Sequence, residues 1–184
     1  MEHSDSQTFY IMSSRGYLTT FTALPDMFYT LLNNQDEVNT FMQSLICGNL
    51  SNVETPVVFH QTEGRVMRDF LDMRLLSAYL ISSRVKNLFE LNDVTGWTVY
   101  PIILYDKKGN EINDYYGFSV TGKGGYLSDD KQSYNVKQWD GSDIFMVEHN
   151  IIVITTRVMS LLKKNHVSAL EFIPLEKWFK VELS

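Results

Sequence analysis

Residues 81–102 recur as residues 154–175, 73 positions later and without a gap. Seven of the 22 aligned positions are identical: Ile81/Ile154, Arg84/Arg157, Val85/Val158, Leu88/Leu161, Asn92/Asn165, Val94/Val167 and Pro101/Pro174. An unrelated pair would share about one or two. The hydroxyl pair Ser82-Ser83 is answered by Thr155-Thr156. A duplication constrains the fold, because both copies must satisfy the same local rules. A period this long, seen twice, marks a duplicated half rather than a solenoid.

Each copy has a mechanical reading. An apolar strand ends at the shared isoleucine, and the hydroxyl pair caps a helix by accepting from free backbone N–H groups. Val85, Leu88 and Phe89 fall at i, i+3 and i+4, as do Val158, Leu161 and Leu162, which is the stripe of a short helix. Asn92 and Asn165 suit a left-handed position at the helix C-terminus. An extended segment then runs to Pro101 or Pro174, where the missing N–H stops the strand or confines it to an edge. The expected fold is therefore α+β, with mostly antiparallel or mixed sheet, a few short helices and two related strand–helix–strand halves.

Elsewhere the pattern adds a strand over 8–12 and a second over 56–60. Val38, Phe41, Met42, Leu45 and Ile46 form one apolar stripe of a helix, with Asn33 or Asn34 before it and Gly48 after it. Residues 70–81 read as mostly strand. Residues 102–105, the turn 106–110 and residues 115–120 read as a hairpin. Residues 122–141 form a long polar stretch. At 184 residues a single domain is expected, with 1–66 outside the repeat pattern and 67–184 carrying it.

One position in the repeat runs against helix electrostatics. Arg84 and Arg157 fall in a first helical turn, where a cation is disfavoured. Either each has a carboxylate partner, or the two form a paired contact for an anion or a partner.

The pattern resembles a bacterial family of immunity proteins from polymorphic toxin systems. The likeness is carried by Trp139-Asp140-Gly141-Ser142-Asp143-Ile144-Phe145, the isoleucine-rich 151–156, the helix from Arg157 and Glu171-Phe172-Ile173-Pro174. Its upstream half matches Asp69-Phe70, Ser82-Ser83, Val94, Pro101 and the strand around Tyr115-Tyr116. It spans roughly 69–178, and residues 1–60 add nothing to it. The resemblance implies a non-enzymatic protein that binds and neutralises a toxin.

Composition narrows the other classes. Hydrophobic residues at 44% and charged residues at 21% are ordinary for a folded soluble chain. The net charge of −6 counts against a nucleic-acid ligand. It favours a protein partner, such as a basic toxin domain. Cys47 is the one cysteine, so no internal disulfide framework or multi-cysteine zinc site is possible. With no apolar run of signal or spanning length, a cytoplasmic protein off the membrane is expected.

No catalytic signature emerges. His3, His60, His149 and His166 lack metal-ligand spacing. Ser128 has no nucleophile context, and the glycines of 121–125 do not follow the phosphate-loop order. No catalytic, cofactor or metal residues are expected. The candidate partner contacts are Asp129, Asp130, Trp139, Asp140 and Asp143, with Arg84 and Arg157. Trp139 would act as the aromatic anchor. The alternatives are a scaffolding domain and, after it, a hydrolase using Asp140, Asp143 and Glu148. No feature fixes an oligomeric state.

Overall fold

Short β-branched and aromatic segments, broken by turn residues, build a chain dominated by strands. In order these are β1 (Phe9–Ser14), β2 (Thr22–Pro25), α1 (Asp26–Thr30), α2 (Gln35–Cys47), β3 (Val57–Glu63), β4 (Phe70–Asp72), β5 (Tyr79–Ser82), α3 (Ser83–Leu91), β6 (Trp97–Tyr100) and β7 (Ile102–Tyr105). There follow β8 (Glu111–Ile112), β9 (Tyr115–Val120), β10 (Gly122–Lys123), β11 (Tyr126–Leu127), β12 (Ser133–Asn135), β13 (Ile144–Val147), β14 (Ile151–Thr155), α4 (Thr156–Lys164), β15 (Leu170–Pro174), a 3-10 turn (Leu175–Lys177) and β16 (Lys180–Glu182). This computed structural model describes residues 8–15, 18–31, 34–73, 78–124, 126–127, 133–135, 139–147, 151–178 and 180–182.

Among the described residues the strands form four sheets, ordered β10-β13-β14-β1-β15, β11-β12-β16, β2-β3-β7-β8 and β4-β5-β9-β6. Most pairings are antiparallel; β3–β7, β10–β13 and β12–β16 are parallel. The fold is α+β with mixed sheets, as the patterning implies. No helix among the described residues is long and apolar enough to cross a membrane.

The duplication is real in three dimensions. The set β4-β5-β9-β6 has its counterpart in β13-β14-β1-β15. Gly117 on β9 stands opposite Leu80 and Tyr100, and Ile11 on β1 stands opposite Val153 and Ile173. Both flanking partners are displaced by the same 73 positions. The central strand is supplied differently in the two halves. In the first it follows in sequence, as β9; in the second it comes from far upstream, as β1. That is why strand 8–12 has no copy at the repeat offset. β6 and β15 are edge strands that close at Tyr100 and Pro174, the second on its proline and the first just before one.

Both repeated helices begin alike. Ser82 and Thr155 are extended, at φ −68° and −72°, and their hydroxyls accept from the N–H of Val85 and Val158. Asn92 and Asn165 are not left-handed, at φ −113° and −92°; the left-handed residues are the next ones, Asp93 and His166, and the asparagines close the helices by donating from Nδ2 to the carbonyls of Leu88 and Leu161, at 2.8 and 2.9 Å. α2 is capped by Asn34 and ends on Gly48 at φ 72°.

Most buried apolar side chains form one core, shared by Leu45 and Ile46 of α2, Val85 and Phe89 of α3, Val158 and Leu162 of α4, and Ile81 and Ile154 of the sheets. A smaller core behind β1 and β14 gathers Phe9, Ile11, Phe145, Val147, Val153 and Leu175. The expected hairpin over 102–120 needs correction. β7 does turn back, but onto β8, and β9 pairs instead with β5 and β6. Asp114 at φ 67° breaks the chain between β8 and β9. Pro101 separates β6 from β7, which joins β3 in another sheet.

Candidate functional site

The two halves meet where each repeated arginine leaves its helix. Arg84 grips Asp69 through Nε and Nη2, a bidentate geometry that suits guanidinium and carboxylate. Asp69 also accepts from Ser82 Oγ at 3.1 Å, Ser168 N at 2.9 Å and Ser168 Oγ at 3.0 Å. Arg157 grips Asp143 in the same way. Asp143 accepts from Thr155 Oγ1 at 3.2 Å, Thr95 N at 3.0 Å and Thr95 Oγ1 at 3.1 Å. Thr95 and Ser168 are themselves 73 apart. The aspartates are nearly covered, at 12% and 13% side-chain exposure, while the arginines are half exposed, at 52% and 53%.

Each arginine also reaches across the seam. Arg84 Nη1 donates to the carbonyl of Asn165, and Arg157 Nη1 to that of Asn92, both at 2.9 Å. The start of each helix therefore faces the end of the other. A cation that is unwelcome at its own helix start sits at its neighbour's negative end, where it is stabilising. Each arginine thus has a carboxylate partner beside it, Asp69 or Asp143.

Of the other candidate residues, Trp139 and Asp140 lie beside this seam. Asp140 accepts from Lys123 N at 2.9 Å and from Ser142 N at 3.0 Å, and Ser142 Oγ also donates to it. Trp139 is half-buried against Phe9 and Phe145, with ring centroids 5.1 and 5.8 Å away. Its indole N–H donates to Ser142 O at 2.9 Å, so both its face and its polar tip are engaged within the chain. A cavity of about 400 Å³ lies alongside, lined by Thr95, Gly96, Thr121, Gly122, Asp140, Gly141 and Ser142. Asp129, Asp130 and Glu148 lie outside the described residues.

Burial pushes the carboxyls of Asp69, Asp140 and Asp143 up, but their hydrogen bonds outweigh it and all three sit below the ordinary carboxylate range. The leading donors are Arg84 to Asp69, Ser142 to Asp140 and Arg157 to Asp143. A carboxylate general acid needs the opposite displacement. Asp140 and Asp143 are therefore fixed anions and hydrogen-bond acceptors, not proton donors near neutral pH. No three His, Cys, Asp or Glu side chains gather as a metal site among the described residues.

Sequence reasoning identified both arginines but not their partnership with Asp69 and Asp143, nor the role of Thr95 and Ser168. A signal existed in the dipeptides Asp69-Phe70 and Asp143-Ile144, 74 positions apart. The offset differs by one from that of the helices, so a gapless comparison passes over it.

Comparison with known proteins adds family identity. The model of the Immunity protein family (Imm11) matches residues 17–123, more than half of the chain. The match starts inside the segment that the repeat pattern left unassigned, and it stops before the second copy. It therefore takes in β2, α2 and β3, which have no internal counterpart and could not be found by comparing the chain with itself. No curated protein matches the chain. With a duplicated α+β fold joined at its arginine seam, and more than half its length matched, the chain belongs to the immunity protein family Imm11.

Proposed function

We propose that this protein neutralises a cognate toxin by binding it, stoichiometrically and without chemistry, in the cytoplasm of the cell that makes both. The family match over residues 17–123 carries this reading. The state of the carboxylates supports it: Asp140 and Asp143 are tied inward and held ionised, the wrong condition for the acid of a hydrolase. The seam residues Arg84, Asp69, Arg157 and Asp143 hold the two halves together. The net charge of −6 would draw a basic toxin at long range, while local side chains decide the contact itself.

The test is expression of the toxin domain encoded beside this gene, alone and together with this protein. Growth arrest by the toxin alone, relief on co-expression and copurification of the pair are expected. A neighbour that is harmless alone, or a pair that does not copurify, would refute the reading.

A further inference from the structure

A second surface, remote in sequence from the seam, has the makings of a contact site. Gln61 joins two loops there. Its Oε1 accepts from Lys107 N at 2.9 Å and its Nε2 donates to Gly64 O. Between these loops lies a cavity of about 580 Å³, with Phe21, Met67 and Ile112 as apolar wall and Arg65, Lys107 and Lys108 as cations.

Both loops are held rigidly. Arg65 N and Val66 N donate to Thr19 O, each at 2.9 Å, and Phe21 N donates to Val66 O at 3.0 Å. Gly64 is required, at φ 66°, because a Cβ would stand 1.9 Å from Thr20 O. On the other side Asp106 accepts from Lys108 N and Asn110 N, both at 2.8 Å, and from Asn110 Nδ2. Asp106 is the one anion lining the cavity, and it is spent on its own turn. A rigid display of this kind lowers the ordering cost of binding.

Arg65, Lys107 and Lys108 are exposed and form no ion pair among the described residues, so all three cations are open to a partner on one side of the molecule. Three exposed cations, one of them (Lys108) beside Asp106, line one cavity on a chain of net charge −6. Exposed apolar side chains collect at the same rim: Val66 and Met67 are 39% and 37% exposed, and Leu18, beside Thr19, is 86% exposed. Such a mixture marks an interface more than a solvated face. The whole groove lies within the family-matched stretch, whereas residues 129–143 lie beyond it.

We infer that the groove between residues 64–67 and 106–112 is where the toxin docks, taking an acidic segment of the toxin that also inserts an apolar side chain. This rests on the immunity reading and names the surface that reading leaves open. Carboxylates would meet Arg65, Lys107 and Lys108, and the apolar side chain would cover Met67 and Ile112.

The experiment titrates the purified toxin domain encoded beside the gene against the wild-type protein and against a triple variant, Arg65→Glu, Lys107→Glu, Lys108→Glu. A control variant carries Lys163→Glu and Lys164→Glu on α4. The three groove side chains are exposed, so unchanged melting curves are expected and will confirm folding. The triple variant should bind about 100-fold more weakly or worse. The control should stay within about twofold of wild type. Reversing acidic residues of the toxin to lysine should restore binding to the triple variant. Wild-type affinity in a folded triple variant would overturn the groove and leave the immunity reading standing. No binding by the wild-type protein would overturn both. A labelled single-stranded DNA bound by the wild type and lost in the triple variant would assign the groove to nucleic acid instead.

Discussion

Arg84 donates to the main-chain carbonyl of Asn165 at 2.9 Å, and so ties the first turn of one repeated helix to the last turn of the other. Arg157 and Asn92 reproduce the contact with the roles of the halves exchanged. The shared arginine thus acts twice, on a carboxylate of its own half and on a helix end of the other half.

Removing one arginine should weaken this joint without unfolding the protein. Arg157→Ala is expected to cost about 1–2 kcal/mol, since a nearly covered Asp143 loses its bidentate donor while Thr95 and Thr155 remain. Arg157→Lys should recover only part of this, because an ammonium cannot reproduce the fork. Chemical denaturation of both variants measures the difference. Equal stability of all three proteins would leave the joint without energetic weight.

Acid should act through Asp69 and Asp143. Their folded-state values lie below the ordinary range, so as pH falls the unfolded chain takes up protons first. Their contribution is full above about pH 4 and is lost as pH drops through the folded-state values. An Asp69→Asn, Asp143→Asn double variant should be less stable at neutral pH and show a flatter stability curve below about pH 4. Parallel curves for variant and wild type would contradict this assignment.

The second half should depend on β1 as a whole. Deleting residues 1–14 removes the strand between β14 and β15 and uncovers the small core around Phe145 and Val153. Hydrogen exchange should show amides of β14 and β15 losing protection while β5 and β9 retain more of theirs. A milder form is Phe9→Ala, which vacates a site packed on Trp139 and Phe145 and should cost about 3–5 kcal/mol.

The turn after each helix offers a comparison within one chain. Gly96 and Ala169 occupy equivalent positions at φ 84° and 71°. Gly96→Ala would drive a Cβ to 1.9 Å from Ile144 O and should cost several kcal/mol, on the order of 3 or more. Ala169→Gly should stay within about 1 kcal/mol, because relief from the left-handed conformation offsets added freedom in the unfolded chain. Thermal melts of the two variants suffice to test the contrast.

What the residues disclosed and what they concealed follow from locality. The helix caps Ser82 and Thr155, the closing asparagines and the edge-ending prolines act within a few residues, so the repeat exposed them directly. The partnership of β1 with β14 and the return of β7 to β8 rather than β9 join distant segments, and periodicity carries no trace of them; the grip of Arg84 on Asp69 left a trace only in an aspartate pair offset by 74 rather than 73. Trp139 shows the same limit: its packing against Phe9 and Phe145, which holds it half-buried, is invisible to local pattern. The groove cations escaped notice because Arg65 and Lys107 lie about 40 positions apart and meet only through Gln61.

Whether the protein acts by occupancy alone can be read from a single titration of toxin activity. Increasing amounts of this protein are added to a fixed quantity of the purified toxin domain. Residual activity should fall linearly to an equivalence point at a fixed molar ratio, and denaturing separation should return toxin of unchanged mass and full activity. Loss of toxin activity at far below equivalence, or toxin recovered in altered form, would mean that the protein works as a catalyst and would contradict the account.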